Sequence, residues 1–100
     1  MEAIDDLKEK LKTEVEQADW DMLRIHQKNK AVILVSGSLS LLDAAVAVAL
    51  DRSQFVKVWL DNGELSHPTQ EQVDYFEKEP FSKICNFIIV QPYVLVQLLD

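Results

Sequence analysis

The chain has 100 residues, of which 48 % are apolar and 27 % charged, with two Gly, three Pro and one Cys. That composition excludes a disordered chain, a collagen-like or linker sequence and an intramolecular disulfide scaffold. Seventeen acidic residues against ten basic give a net charge of −7, and the basic residues of the first thirty are interleaved with more numerous acidic ones. The clustered Lys and Arg that nucleic-acid backbones demand are missing, so nucleic acid is not an expected partner.

The length fits one domain spanning residues 1–100. The N-terminus lacks the basic start and apolar run of a secretory signal. The longest unbroken apolar stretch, Ala44 to Leu50, is far short of the about 20 residues of a membrane span. With so little Cys, the expected location is the cytoplasm, with no membrane partner.

Ile4, Leu7, Leu11 and Val15 repeat at helical spacing, which predicts an amphipathic helix over 3–16. Asp19 is placed to cap a second helix over 20–28, in which Trp20 and Leu23, and Met22 and Ile25, are i,i+3 pairs. Ala31 to Val35 is a short apolar run that reads as a buried strand. Ser40 and Asp43 resemble a capping box ahead of Leu41–Leu50, which is apolar on nearly every side and therefore a central helix.

A further helix is expected from Asp51-x-x-Gln54 to Asn62, pairing Phe55 with Trp59 and Val56 with Leu60 on one broad face, and stopped by Gly63. Glu64–His67 reads as an extended connector. Thr69-x-x-Gln72 is a capping box for a last helix that Pro80 ends, with Val73 and Phe76 facing inward.

Residues 84–99 carry the strongest strand signal, interrupted by Pro92. Sixteen extended residues reach about 50 Å at about 3.3 Å each, while a domain of this size has a radius of gyration of only about 13 Å. The segment must bend at Gln91-Pro92, or one half must project toward another chain. The expected fold class is α+β, one small domain of about five helices on a two- to three-stranded sheet. No internal repeat or linker is present.

Together, Leu41–Ala47, Asp51, Val58-Trp59-Leu60, Gly63-Glu64-Leu65, Pro68-Thr69-x-Glu71-Gln72 and Ile89-Val90-Gln91-Pro92-Tyr93-Val94-Leu95-Val96-Gln97 resemble the small bacterial domain-of-unknown-function family 2288 over nearly the whole chain. Tyr93 stands where that pattern suggests Trp, and Ser36-Gly37 where it suggests an acidic, Pro-containing turn. The resemblance implies a bacterial origin, a full-length cytosolic chain and no assigned activity.

Candidate sites are few. Ser36, Gly37, Ser38 and Ser40 lie between a strand and a helix, where backbone amides and hydroxyls can hold a phosphate. Against that, the turn has one Gly and no Lys, and capping accounts for its serines. His67 lies near Asp61 and Glu64 but has no second ligand at metal spacing, so it reads as a solvated loop residue and no metal or other cofactor is expected. His26 reads as surface. Cys85 reads as a buried, inert thiol, and no catalytic residue is assigned. Trp20, Phe55, Trp59, Tyr75 and Phe76 sit mostly at core-facing spacings. Gln91, Pro92, Tyr93, Leu95 and Gln97 form the candidate interface. Gln91 and Gln97 need partners if buried, either loop backbone or a second chain.

The leading expectation is therefore a non-enzymatic protein-interaction module, a homo-oligomer or a binder of another protein, using its C-terminal strand. The alternative is a small-molecule or phosphate-binding protein, an enzyme included, built on the Ser36–Ser40 turn. A third reading is an acidic decoy for a basic partner, using residues 61–79.

Overall fold

The computed structural model describes residues 2–82 and 84–98, with side chains from Asp6 onward. Five helices, α1 (Glu2–Glu14), α2 (Trp20–Lys28), α3 (Leu41–Ala49), α4 (Ser53–Asn62) and α5 (Gln70–Lys78), surround five strands: β1 (Glu16–Asp19), β2 (Val32–Val35), β3 (Leu65–Ser66), β4 (Ile84–Val90) and β5 (Tyr93–Leu98). The fold is α+β, with a mixed sheet in the order β1-β4-β5-β2-β3. Only β2 and β5 run parallel; the other three pairings are antiparallel.

Local chemistry sets most helix ends. The Asp19 carboxylate accepts from the Met22 N–H at 3.1 Å, and Ser40 Oγ accepts from the Asp43 N–H at 3.3 Å. Thr69 and Gln72 complete the expected capping box. Gly63 takes the left-handed conformation (φ 84°) that ends α4. The start of α4 differs from expectation. Asp51 has φ 54°, outside the helix, and α4 begins at Ser53 after Arg52 with no side-chain cap. Ile4 of the expected α1 stripe falls outside the described side chains, and Leu99 outside the described residues.

The sheet has five strands rather than two or three. The additional two are its edges. The expected first helix ran to Glu16 and no strand was expected before Asp19, but α1 stops at Glu14 and Glu16–Asp19 pairs with Ile84–Phe87. β3 is a two-residue pairing of Leu65 and Ser66 with β2. Both are short and β1 is mostly polar, a common way to blunt a sheet edge.

The 84–99 segment does bend at Gln91-Pro92. These two residues, joined by a cis peptide bond, form the turn of an antiparallel hairpin that pairs Val90 with Tyr93. The second half then returns into the middle of the sheet. β5 is bonded to β4 on one side and to β2 on the other. Neither of its edges is open, so β5 cannot add a strand from a second copy, and the expected self-association through that strand is corrected.

Helices cover both faces. Ile33, Leu95 and Ile88 form one cross-strand row, buried beneath α1, α3 and α4 with Leu11, Ala44 and Ala45. Leu34, Val96 and Phe87 form a row on the opposite face, packed with Trp20, Leu23 and Phe76 of α2 and α5. Both faces being buried explains why β2 and β5 read as unbroken apolar runs rather than alternating ones. The Trp20 indole N–H donates to Glu77 at 2.7 Å, and Arg24 pairs with the same carboxylate at 2.8 Å, tying α2 to α5.

Leu95 is fully buried at the crossing of β4, β5 and β2. Leu95→Ala should lower unfolding stability by about 2–5 kcal/mol, read as a lower urea midpoint at unchanged denaturant dependence.

Candidate functional site

The turn from Ser36 to Ser40 connects β2 to α3, as the sequence suggests, and its polar groups are spent on one another. Ser36 Oγ accepts from the Ser38 N–H at 3.2 Å and lies 3.0 Å from Ser38 Oγ. Ser40 caps α3. The Ser36 N–H donates to the Glu64 carbonyl at 2.8 Å, and the Leu39 N–H to the Ser36 carbonyl at 3.0 Å. Gly37 has open space where a Cβ would stand and no left-handed φ. Asp43, in the first turn of α3, pairs with Lys8 at 3.1 Å. An anion arriving here would compete with these bonds and with the Asp43 carboxylate.

The last strand contributes a further constraint. The Gln97 side-chain amide donates to the Ser36 carbonyl at 2.8 Å and to the Leu39 carbonyl at 2.7 Å. Gln97 therefore uses loop backbone, one of the two partners the sequence left open, and clamps the β2–α3 turn to β5.

The five residues of the candidate interface do not form one surface. Gln91, Pro92 and Tyr93 are exposed at the hairpin end, Leu95 is fully buried, and Gln97 is half-buried at the other end. Tyr93 and Gln97 are four residues apart, about 13 Å along the strand. Leu95 and Gln97 are set aside as interface residues for that reason.

Other predicted features divide cleanly. Trp20 and Phe76 are core, with ring centroids 4.9 Å apart. Phe55 and Tyr75 are exposed, against the core-facing expectation. His67 is exposed and His26 half-buried. Among the described residues, no group of three or more His, Cys, Asp or Glu is placed to hold a metal, and no helix is long and apolar enough to cross a membrane. Cys85 is fully buried in β4. Burial, and to a lesser degree the Asp19 charge, push its thiol up from 9.0 to about 11, which leaves it protonated and unreactive near neutrality.

What the sequence did not reveal lies around α4. Five of its ten residues are apolar, yet none is fully buried. Val56 and Trp59 pack inward on the core, while Phe55, Val58 and Leu60 remain 46 %, 57 % and 43 % exposed. Phe55 and Trp59 stack obliquely with centroids 6.2 Å apart, and together with Val46 and Arg52 they border a groove of about 230 Å³ between α3 and α4. On its other side α4 roofs a cleft of about 400 Å³ over Ile33 and Leu65, with Tyr93 at the mouth.

Comparison with known proteins adds three findings. Residues 6–98 match the model of a family described as a protein of unknown function (DUF2288). The fold is similar to the NMR solution structure of PA1075 from Pseudomonas aeruginosa, with 27 % identity and a TM-score of 0.78 over 90 % of this chain and 82 % of that one. No curated protein matches.

Two outcomes follow from the geometry. Gln97→Leu removes both donors to the turn and should cost about 1–3 kcal/mol of stability, with faster amide exchange at 36–40 than elsewhere in the sheet. Cys85 should resist a thiol reagent at pH 8 in the folded protein and react once unfolded in urea. Because its folded value lies above the unfolded one, the unfolded chain releases the proton first. The thiol's contribution to stability is therefore intact below pH 9 and is lost as pH rises from 9 toward 11, which pH-dependent urea midpoints would record.

Proposed function

The chain belongs to the DUF2288 family of proteins of unknown function, and we propose that it is a non-enzymatic protein-interaction module that self-associates, with the outer side of α4 as the contact. The observation that carries this reading is the exposed apolar set Phe55, Val58 and the stacked edge of Trp59, on a helix with no fully buried residue. Aromatic side chains of this kind dominate the energetics of protein contacts.

Charge favours a second copy as the occupant. Two chains of net charge −7 repel each other at long range. Around α4 the repulsion vanishes locally, because Asp51 and Asp61 are balanced by Arg52 and Lys57. On α5, by contrast, Glu77 is paired with Arg24, but Glu71 and Asp74 are in no salt bridge among the described residues, and two such faces would oppose like charge. A two-fold contact places the same patch on both subunits, so a locally neutral, apolar patch is the one that matches itself. In such a pair the groove beside Phe55 and Trp59 receives an apolar side chain from the partner copy.

Sedimentation velocity across the micromolar range tests the reading. The wild-type chain should form a dimer. A Phe55→Glu/Val58→Glu variant should remain monomeric with an unchanged circular dichroism spectrum, since both residues are about half exposed. Association should strengthen from low to moderate salt, because screening removes the long-range repulsion and leaves the apolar contact. A wild-type monomer throughout, or a variant that dimerises equally, overturns the proposal. An acidic decoy using residues 61–79 predicts the opposite salt trend with a basic partner.

A further inference from the structure

Helix α4 ends in Asp61-Asn62, followed by Gly63 and Glu64, and that ending has a chemistry of its own. The side-chain carbonyl carbon of an Asn, Cγ, is open to attack by the backbone nitrogen of the next residue, which closes a cyclic imide. Three observations bear on that reaction here. Residue 63 is Gly, so no side chain crowds the attacking nitrogen; beyond its chain neighbours, no heavy atom lies within 4 Å of the place a Cβ would take. Asn62 and Gly63 are both exposed, so solvent base and water reach them. The Glu64 N–H donates to Asn62 Oδ1 at 3.0 Å, and the ring that this bond closes contains the Gly63 nitrogen.

That hydrogen bond aims a donor at the atom that becomes negative. As the Gly63 nitrogen adds to Cγ, the carbonyl electron pair moves onto Oδ1, where the Glu64 N–H already stands at the distance of an oxyanion donor. Asn62 is also the last residue of α4, and helix ends open at the least free energy, so the backbone rotation that ring closure needs is within reach. The other two Asn residues lack this arrangement. Asn29 ends α2 in the same way, but the next residue carries a side chain and its nitrogen is committed, the Lys30 N–H donating to the Gln27 carbonyl at 2.8 Å. Asn86 lies within β4, between β1 and β5.

We propose that Asn62 is a self-modification site, which converts to Asp and isoaspartate through an imide formed with the Gly63 nitrogen, the Glu64 N–H serving as oxyanion donor. A solvent base takes the Gly63 amide proton, the N–Cγ bond forms, and the Cγ–Nδ2 bond breaks as Nδ2 takes a proton from water and leaves as ammonia. Water then opens the imide. Cleavage at Cγ gives Asp at position 62, and cleavage at the main-chain carbonyl routes the backbone through the side chain. The net change is ammonia for water, with no oxidant or reductant. Either product sets a new carboxylate beside Asp61 at the C-terminal end of α4, where the helix dipole opposes it. It also removes the local charge balance around α4, so pairing through that helix weakens; this consequence alone rests on the self-association reading.

The test holds the full chain at pH 8 and follows positions 29, 62 and 86 by peptide mass mapping, with an isoaspartyl-specific methyltransferase to score the rerouted backbone. Asn62 should gain one mass unit about tenfold faster than Asn29 or Asn86. The rate should rise with pH, because the attacking nitrogen must first lose its proton. Gly63→Ala should slow it about tenfold with an unchanged circular dichroism spectrum. In guanidinium chloride, which breaks the Glu64 hydrogen bond, Asn62 should react more slowly than in the folded chain. No gain at Asn62, an equal rate at Asn29, or a Gly63→Ala chain that reacts as fast as wild type overturns the site. A faster reaction in guanidinium chloride overturns the part assigned to the Glu64 N–H. None of these readouts depends on oligomeric state. Sedimentation of fresh and converted chain is a separate comparison, in which unchanged pairing counts against the α4 contact and leaves the modification site standing.

Discussion

Two hydrogen bonds from one amide hold the β2–α3 turn against the central strand, and much of the architecture follows from that attachment. Gln97 reaches the Ser36 and Leu39 carbonyls because β5 lies beside β2 and runs parallel to it, which brings the ends of the two strands together. That placement buries Val94, Leu95 and Val96 between helices on both faces. It also fixes where α3 starts, because Ser40 caps the helix one residue after the clamped carbonyl of Leu39. The small residues Ala44 and Ala45 then let α3 lie close over the sheet. A polar residue at the end of an apolar strand thus serves as the joint between sheet and helix layer. This gives a physical reason for the Gln at the end of the Val-Gln-Pro-Tyr-Val-Leu-Val-Gln run. The first Gln of that run, with Pro92, serves the hairpin turn instead.

Features that depend on a few adjacent residues were legible in the sequence. The caps at Asp19, Ser40 and Thr69 and the stop at Gly63 are local bonds and local backbone geometry, and each lies where the residues indicate. The bend at Gln91-Pro92 was legible too, because a strand of that length does not fit the domain. Features that depend on a distant partner were not. Glu16–Asp19 has little strand character of its own and is extended because β4 lies alongside it. Leu65 and Ser66 form a strand only by pairing with β2. An apolar run such as 93–98 looks the same whether it fills the middle of a sheet or projects outward, so its length excess could be recognised but not where it goes.

The same distinction applies to the candidate surfaces. Spacing along α4 gives an apolar face but not what covers it, and Phe55 and Trp59 read as core for that reason. Tyr93, one of the candidate interface residues, is exposed and lines a cleft whose other walls come from β2, α3, α4 and the β3 region. No sequence separation announces that convergence. Leu95 and Gln97 were grouped with Tyr93 by proximity in sequence, yet strand geometry carries each a further step away from the hairpin end. A 100-residue chain has little apolar surface to spare. Leaving an entire helix without a fully buried residue is therefore a measurable departure from tight packing.

The two edge strands bear on how large an assembly can grow. β1 presents Glu16, Gln17 and Asp19 along four residues, and β3 offers only two. Neither is a template long or apolar enough to recruit another sheet, and β5, the most strand-prone segment, has both of its edges occupied. A pair formed as proposed, through helix faces, sets one patch against its own image and uses up both halves of the contact. Such a contact closes on itself at two subunits, so the proposed pairing ends at a dimer and gives no route to fibrils.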